Sequence, residues 1–160
     1  MESVLATLQG KKEFDSSQKE AIQIVSEYIG KTTDKEAIIL KAHLLTERFL
    51  IAYIETHCKN PKALENAKLS FKQLMQISKS FHDVSEKEWL WELLDKLNGL
   101  RNKFAHNLLP DDSNDSIDLF LRISKKRIEA QGYFFNDSDL ALKQVLVQLC
   151  GVCFNFLNHR

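Results

Sequence analysis

Glycine and proline are scarce, at five and two in 160 residues. That leaves few breakers of regular structure. With hydrophobic residues at 44% and charged ones at 28%, it excludes a disordered chain and points to a globular helical one. A surplus of one charge is missing too. Lys plus Arg equal Asp plus Glu at 22 each, so no global positive field draws in nucleic acid, and any RNA binding has to be local. Long apolar runs are absent. The most apolar segment, Val145 to Phe156, is interrupted by Gln148, Gly151 and Asn155 and falls short of the roughly 20 residues a bilayer span needs. It reads as a core or interface helix, and no membrane contact is expected. Cysteine occurs only as Cys58, Cys150 and Cys153, an odd number with no charged-then-apolar leader ahead of it, so the expected setting is reduced and cytoplasmic. Glycine-rich phosphate loops, Ser-His-Asp spacings and a helix-turn-helix with a basic recognition helix are lacking. Their absence argues against a nucleotide-driven motor, a classical hydrolase and a DNA-binding regulator.

No segment alternates convincingly with period two, so no sheet is expected. Helical apolar spacing recurs instead. Ser17 with Glu20, Thr33 with Glu36, and Ser85 with Glu88 have capping-box spacing, and Asn60-Pro61 marks a further start. The pattern predicts helices over roughly 16–29, 34–58, 61–80, 86–105, 116–130 and 137–158. At 160 residues these form one domain, an all-α bundle of five or six helices. The second helix, with Ile38, Ile39, Ala42, Leu45, Phe49, Ala52 and Tyr53 on one broad face, reads as the central strut. The longest loop is expected over Leu109 to Asp115, where turn formers collect with three carboxylates.

The hexapeptide Arg101-Asn102-Lys103-Phe104-Ala105-His106 closes the fourth predicted helix. Arginine holds a phosphate with a planar, permanently charged fork, and histidine, with an ordinary pKa of about 6.5, transfers protons near neutrality. With Leu97 at zero and about 100° per residue, Arg101 falls at roughly 40°, Asn102 near 140° and His106 near 180°. Arg101 therefore flanks the buried stripe, whereas Asn102 and His106 share another face, where an amide can fix an imidazole tautomer. Arg101 and His106 diverge by about 140°. To meet at one phosphate, they need the helix to break before His106 or a second subunit to contribute. Spacing alone also fits an arginine paired with a nearby acid and a helix-terminal histidine interacting with the dipole.

This Arg-Asn-x-x-x-His, closing an amphipathic helix after Trp89-Leu90-Trp91-Glu92-Leu93-Leu94, resembles the Arg-polar-x-x-x-His signature of the HEPN superfamily. The resemblance covers residues 97–107 as motif and most of the chain as architecture. It implies a HEPN-like bundle acting as a metal-independent endoribonuclease, often a toxin of a toxin–antitoxin or phage-defence system, with an antitoxin protein as partner. Members of this kind act as homodimers whose motifs face each other. His106 would act as general base or acid for attack of the ribose 2′-hydroxyl on the adjacent phosphorus, Arg101 would hold the scissile phosphate, and Asn102 would orient substrate or His106. No metal or cofactor would be needed. Other members have lost catalysis and serve as binding or scaffold modules acting through protein or nucleotide, and that is the alternative reading.

Glu47 is the next candidate, because family members often carry an acidic or polar residue on an early helix facing the motif. It could pair with Arg101 and pre-position it, or simply with His43 one turn away. The run Arg122, Lys125, Lys126, Arg127 on the fifth predicted helix is either a solvated face or, together with Lys103, a track for the RNA backbone. Gly132-Tyr133-Phe134-Phe135 could stack an unpaired base or plug the core. Cys150-Gly151-Val152-Cys153 lies inside the apolar C-terminal segment and offers at most half a zinc site, with Cys58, His57 and His159 as remote completions. Buried packing suits it better.

Overall fold

The computed structural model describes residues 16–64, 66–83, 87–106, 111–132 and 142–158, the side chains of 16–22, 106 and 111–113 excepted. Among the described residues six α-helices follow one another: α1 Ser16–Gly30, α2 Lys35–His57, α3 Phe71–Lys79, α4 Glu88–His106, α5 Asp111–Glu129 and α6 Leu142–Asn158. A 3-10 turn, Pro61–Leu64, separates α2 from α3, and the described residues contain no strand. The fold is an all-α bundle. No helix among the described residues is long and apolar enough to cross a membrane.

Local chemistry sets the boundaries, and in three places it moves them from the predicted ones. Asp34, not Thr33, caps α2, its Oδ1 accepting the Ala37 N–H at 2.7 Å. The carboxylate also complements the helix dipole, which a hydroxyl cannot do. The predicted third helix is two pieces. After the 3-10 turn, Lys68 adopts a left-handed backbone (φ +43°) that no helix can continue through, and a fresh start follows at Ser70. There the Ser70 N–H donates to Gln73 Oε1 at 2.8 Å while Ser70 Oγ accepts the Gln73 N–H, a complete capping box contributing about 1 kcal/mol. The third difference concerns the predicted loop. Asp111 to Asp115 form the first turns of α5, since carboxylates suit a helix N-terminus as well as they suit a turn. Ser17 lies inside α1 and not before it, whereas Ser85 and residues 133–141 are outside the described set.

α2 is the hub of the packing. It touches α1, α3, α4 and α6, and α6 in turn lies against α1, α4 and α5. The heptad-like leucines of α4, Leu90, Leu93, Leu94, Leu97 and Leu100, are all buried, with Phe104 partly so. On α2 the buried apolar set is Ile38, Ile39, Ala42, Leu50, Tyr53 and Ile54, so the predicted face is rotated slightly, and Ala52 is exposed. Two lysines finish α1: Lys41 Nζ donates to the Tyr28 carbonyl at 3.2 Å and Lys143 Nζ to that of Gly30 at 3.0 Å. They satisfy terminal carbonyls that the helix itself cannot. At the C-terminal end of α2, Tyr53 stacks on His82, whose ring stacks on Phe156 of α6 at 4.3 Å.

Cys150 and Cys153 are fully buried on α6, and Cys150 Sγ faces the Ala42 carbonyl at 3.7 Å. Burial pushes the Cys153 thiol up to about 12 and raises that of Cys150 well above its ordinary value. Both side chains are packed into the core. Among the described residues no group of three His, Cys, Asp or Glu side chains could hold a metal.

Candidate functional site

α2 and α4 meet through polar groups at mid-length, an exception in an otherwise apolar contact. α2 supplies His43 and Glu47, one turn apart; α4 supplies Asn98, Arg101 and Asn102, at i, i+3 and i+4. His43 is 5% exposed, and its ring stacks on Phe71 of α3, centroids 4.3 Å apart. Its Nε2 lies 3.1 Å from Asn98 Oδ1. An amide oxygen only accepts, so Nε2 carries the proton, and in the neutral ring Nδ1 is bare. Nδ1 is 4.0 Å from Glu47 Oε2, too far for a hydrogen bond, and has no other partner among the described residues.

The His43 pKa lies below its ordinary 6.5. Burial is the largest cause, and the nearby Arg101 charge works in the same direction, against the hydrogen bond His43 donates to Asn98 and the charge of Glu47. Because the folded protein takes up this proton later than the unfolded chain, the unfolded state binds more protons between the two pKa values. Stability is therefore expected to fall as pH drops from neutrality through 6.5 to the lowered folded value, then to level off. Melting temperatures of wild type and His43→Gln from neutral to mildly acidic pH check this. The wild type should lose more on acidification, and parallel curves would remove His43 as the cause.

Arg101 is half-buried, and its Nη1 donates to Asn102 Oδ1 at 3.1 Å. Among the described residues it has no carboxylate partner: of the two partners open to Glu47, the structure sets it against His43 and not Arg101. Asn102 spends its oxygen on the guanidinium. α4 runs unbroken through His106, its last residue, so the helix does not break to bring Arg101 and His106 together. Their Cα positions diverge by about 140° around the axis.

The basic candidates separate into two groups. Lys125 pairs with Glu129 at 3.9 Å, and Arg127 with Glu92 of α4 at 2.7 Å. Arg122 and Lys126 are exposed and have no ion pair among the described residues. Lys103 leans across to α5, where its Nζ donates to Ser116 Oγ at 2.9 Å. Opposite the cations, Ile117, Phe120, Ser124 and Ile128 are buried, as the helical spacing requires. Tyr133 to Phe135 and His159 are outside the described residues.

Sequence reasoning missed Asn98 and placed His43 only as a partner for Glu47. The i, i+3, i+4 run of polar residues on a leucine-rich helix was the available signal. No family model, curated protein or solved structure matches the chain.

Proposed function

We propose that the chain is a metal-independent endoribonuclease of HEPN type, working as a homodimer in which Arg101 of one protomer meets His106 of the other. The observation that carries this reading is the state of Arg101: a half-buried guanidinium with no carboxylate partner among the described residues, held by Asn102 on the turns that close α4. A cation so placed keeps its Nε and Nη2 edge for an anion, and a phosphodiester fits that edge bidentately. His43, kept neutral, adds no competing charge, and Glu47 tempers the cluster's positive field.

In the reaction, His106 takes the proton of the ribose 2′-hydroxyl as O2′ attacks phosphorus. Arg101 neutralises charge gathering on the non-bridging oxygens, and the 5′-oxygen of the next nucleotide leaves with a proton taken from water. The products are a 2′,3′-cyclic phosphate and a 5′-hydroxyl. A second chain answers the 140° divergence left by an α4 that continues through His106, and the exposed row Leu40, Leu44 and Ile51 on α2, flanking Glu47, supplies apolar surface beside the site. Such an enzyme suits the toxin half of a toxin–antitoxin or phage-defence module, with a protein antitoxin as its restraint.

Cleavage of total RNA and tRNA by the purified protein in excess EDTA, beside Arg101→Ala/His106→Ala, tests the reading. Cleavage by wild type alone, with cyclic phosphate ends, is the expected result. Silence of both well-folded proteins would replace the enzyme by a catalytically inactive binding or scaffold module.

A further inference from the structure

Away from the α2 side of α4, a groove of about 190 Å³ opens between α4 and α5. Lys96, Gly99 and Lys103 of α4 form one wall, and Ser116, Leu119 and Phe120 of α5 the other. Among the described residues no carboxylate lines it: Asp95 and Asp115 stay outside the lining, and Glu92 is engaged by Arg127 at 2.7 Å, with Lys96 farther off at 4.0 Å.

Gly99 gives the groove its floor. A glycine in a helix interior weakens the helix relative to alanine, so packing usually explains its presence. Here a Cβ built on Gly99 meets nothing within 4 Å. None of the described residues uses the bare backbone. Across from it, Leu119 is 49% exposed, an apolar side chain with one face uncovered. The row of Leu119 continues along α5 through Arg122 and Lys126, the two cations of that helix left unpaired among the described residues.

We infer that this groove binds single-stranded RNA, one base lying over Gly99 against Leu119 and the flanking phosphates held by Lys96 and Lys103, with Arg122 and Lys126 extending the track. A nucleotide joins the two properties the groove joins: a flat apolar ring that can approach backbone where no Cβ stands, and an anion on its edge. A partner helix docked through apolar anchors would leave Lys96 and Lys103 without an anion. The inference rests on the ribonuclease reading for its choice of nucleic acid. Lys103 belongs to the hexapeptide itself, so a strand in the groove runs along α4 toward the motif.

The test uses the full chain and a short 2′-O-methylated RNA, which can bind but cannot be cut, so that binding is read independently of catalysis. Anisotropy should show binding that weakens with salt. Gly99→Tyr and Lys96→Glu/Lys103→Glu should each lose about tenfold or more in affinity, and the double variant should flatten the salt slope by about 1.4. Gly99→Ala should raise the melting temperature, which shows that the helix accepts a side chain there. Unchanged affinity in both groove variants would overturn the inference, as would equal affinity for a mononucleotide or preference for an acidic helical peptide. Cleavage of unmodified RNA separates the two claims. His106-dependent cleavage with groove-independent binding leaves the nuclease and removes the groove, and groove-dependent binding without cleavage does the reverse.

Discussion

Arg101→Ala and His106→Ala proteins, each inactive alone, should regain about a quarter of wild-type cleavage when mixed in equal amounts. Each single substitution removes one partner of the reaction and is expected to cost about 10²- to 10⁴-fold. α4 is anchored by Leu90 to Leu100, upstream of both residues, so the helix should survive either change. If the Arg101 of one protomer works with the His106 of the other, a mixed dimer contains one site with both residues intact and one with neither. Random exchange makes about half of the dimers mixed, and each has one working site of two, hence about a quarter. If both residues of a site come from one chain, mixing restores nothing. Arg101→Lys keeps the charge but not the fork, and should recover only a small part of the loss. A mixture as inactive as its components would end the cross-protomer arrangement and leave the 140° divergence without an answer.

Leu97→Ala is expected to cost about 2–5 kcal/mol, a large part of the roughly 5–15 kcal/mol that hold a domain together. Leu97 has no exposure and stands at the centre of the α4 stripe, one turn before Arg101 and beside Asn98. Close packing cannot heal the void without moving α4 against α2, and that movement would disturb the His43–Asn98 bond. The melting temperature should drop on the order of 10 °C for a domain of this size. Denaturant titration beside Leu119→Ala, at a half-exposed position, checks this, since that control should change stability by less than about 0.5 kcal/mol. Equal losses in the two variants would mean that the core does not centre on α4.

Periodicity made the bundle legible. α1, α2, α4 and α6 come from apolar spacing that a 3.6-residue repeat explains, and the leucines of α4 could be placed inside one by one. What periodicity could not show was competition between local signals. Pro61 opens a helix as readily as a single 3-10 turn, and only the left-handed Lys68 and the Ser70–Gln73 box decide for the turn. Asp111 to Asp115 read as a loop because the same side chains that favour turns also favour a first helical turn. In the site, Arg101 and Asn102 were visible from the motif, but their contacts were not. Glu47 had two possible partners, His43 on its own helix and Arg101 across the interface, and the distances that choose between them belong to the packing of α2 on α4. Nothing in the sequence sets Gly99 apart, because emptiness around a Cβ is a property of the fold.

The burial of Cys150 and Cys153 leaves Cys58, at the C-cap of α2 and only partly covered, as the one thiol a reagent can reach without unfolding the chain. The natural sequence therefore carries its own single attachment point for a spin label, one per protomer and near the end of the central helix. Dipolar spectroscopy on the labelled protein would turn the question of assembly into a length. A symmetric pair of chains would yield one narrow distance and a lone chain none, with no engineered cysteine and no substitution near the hexapeptide.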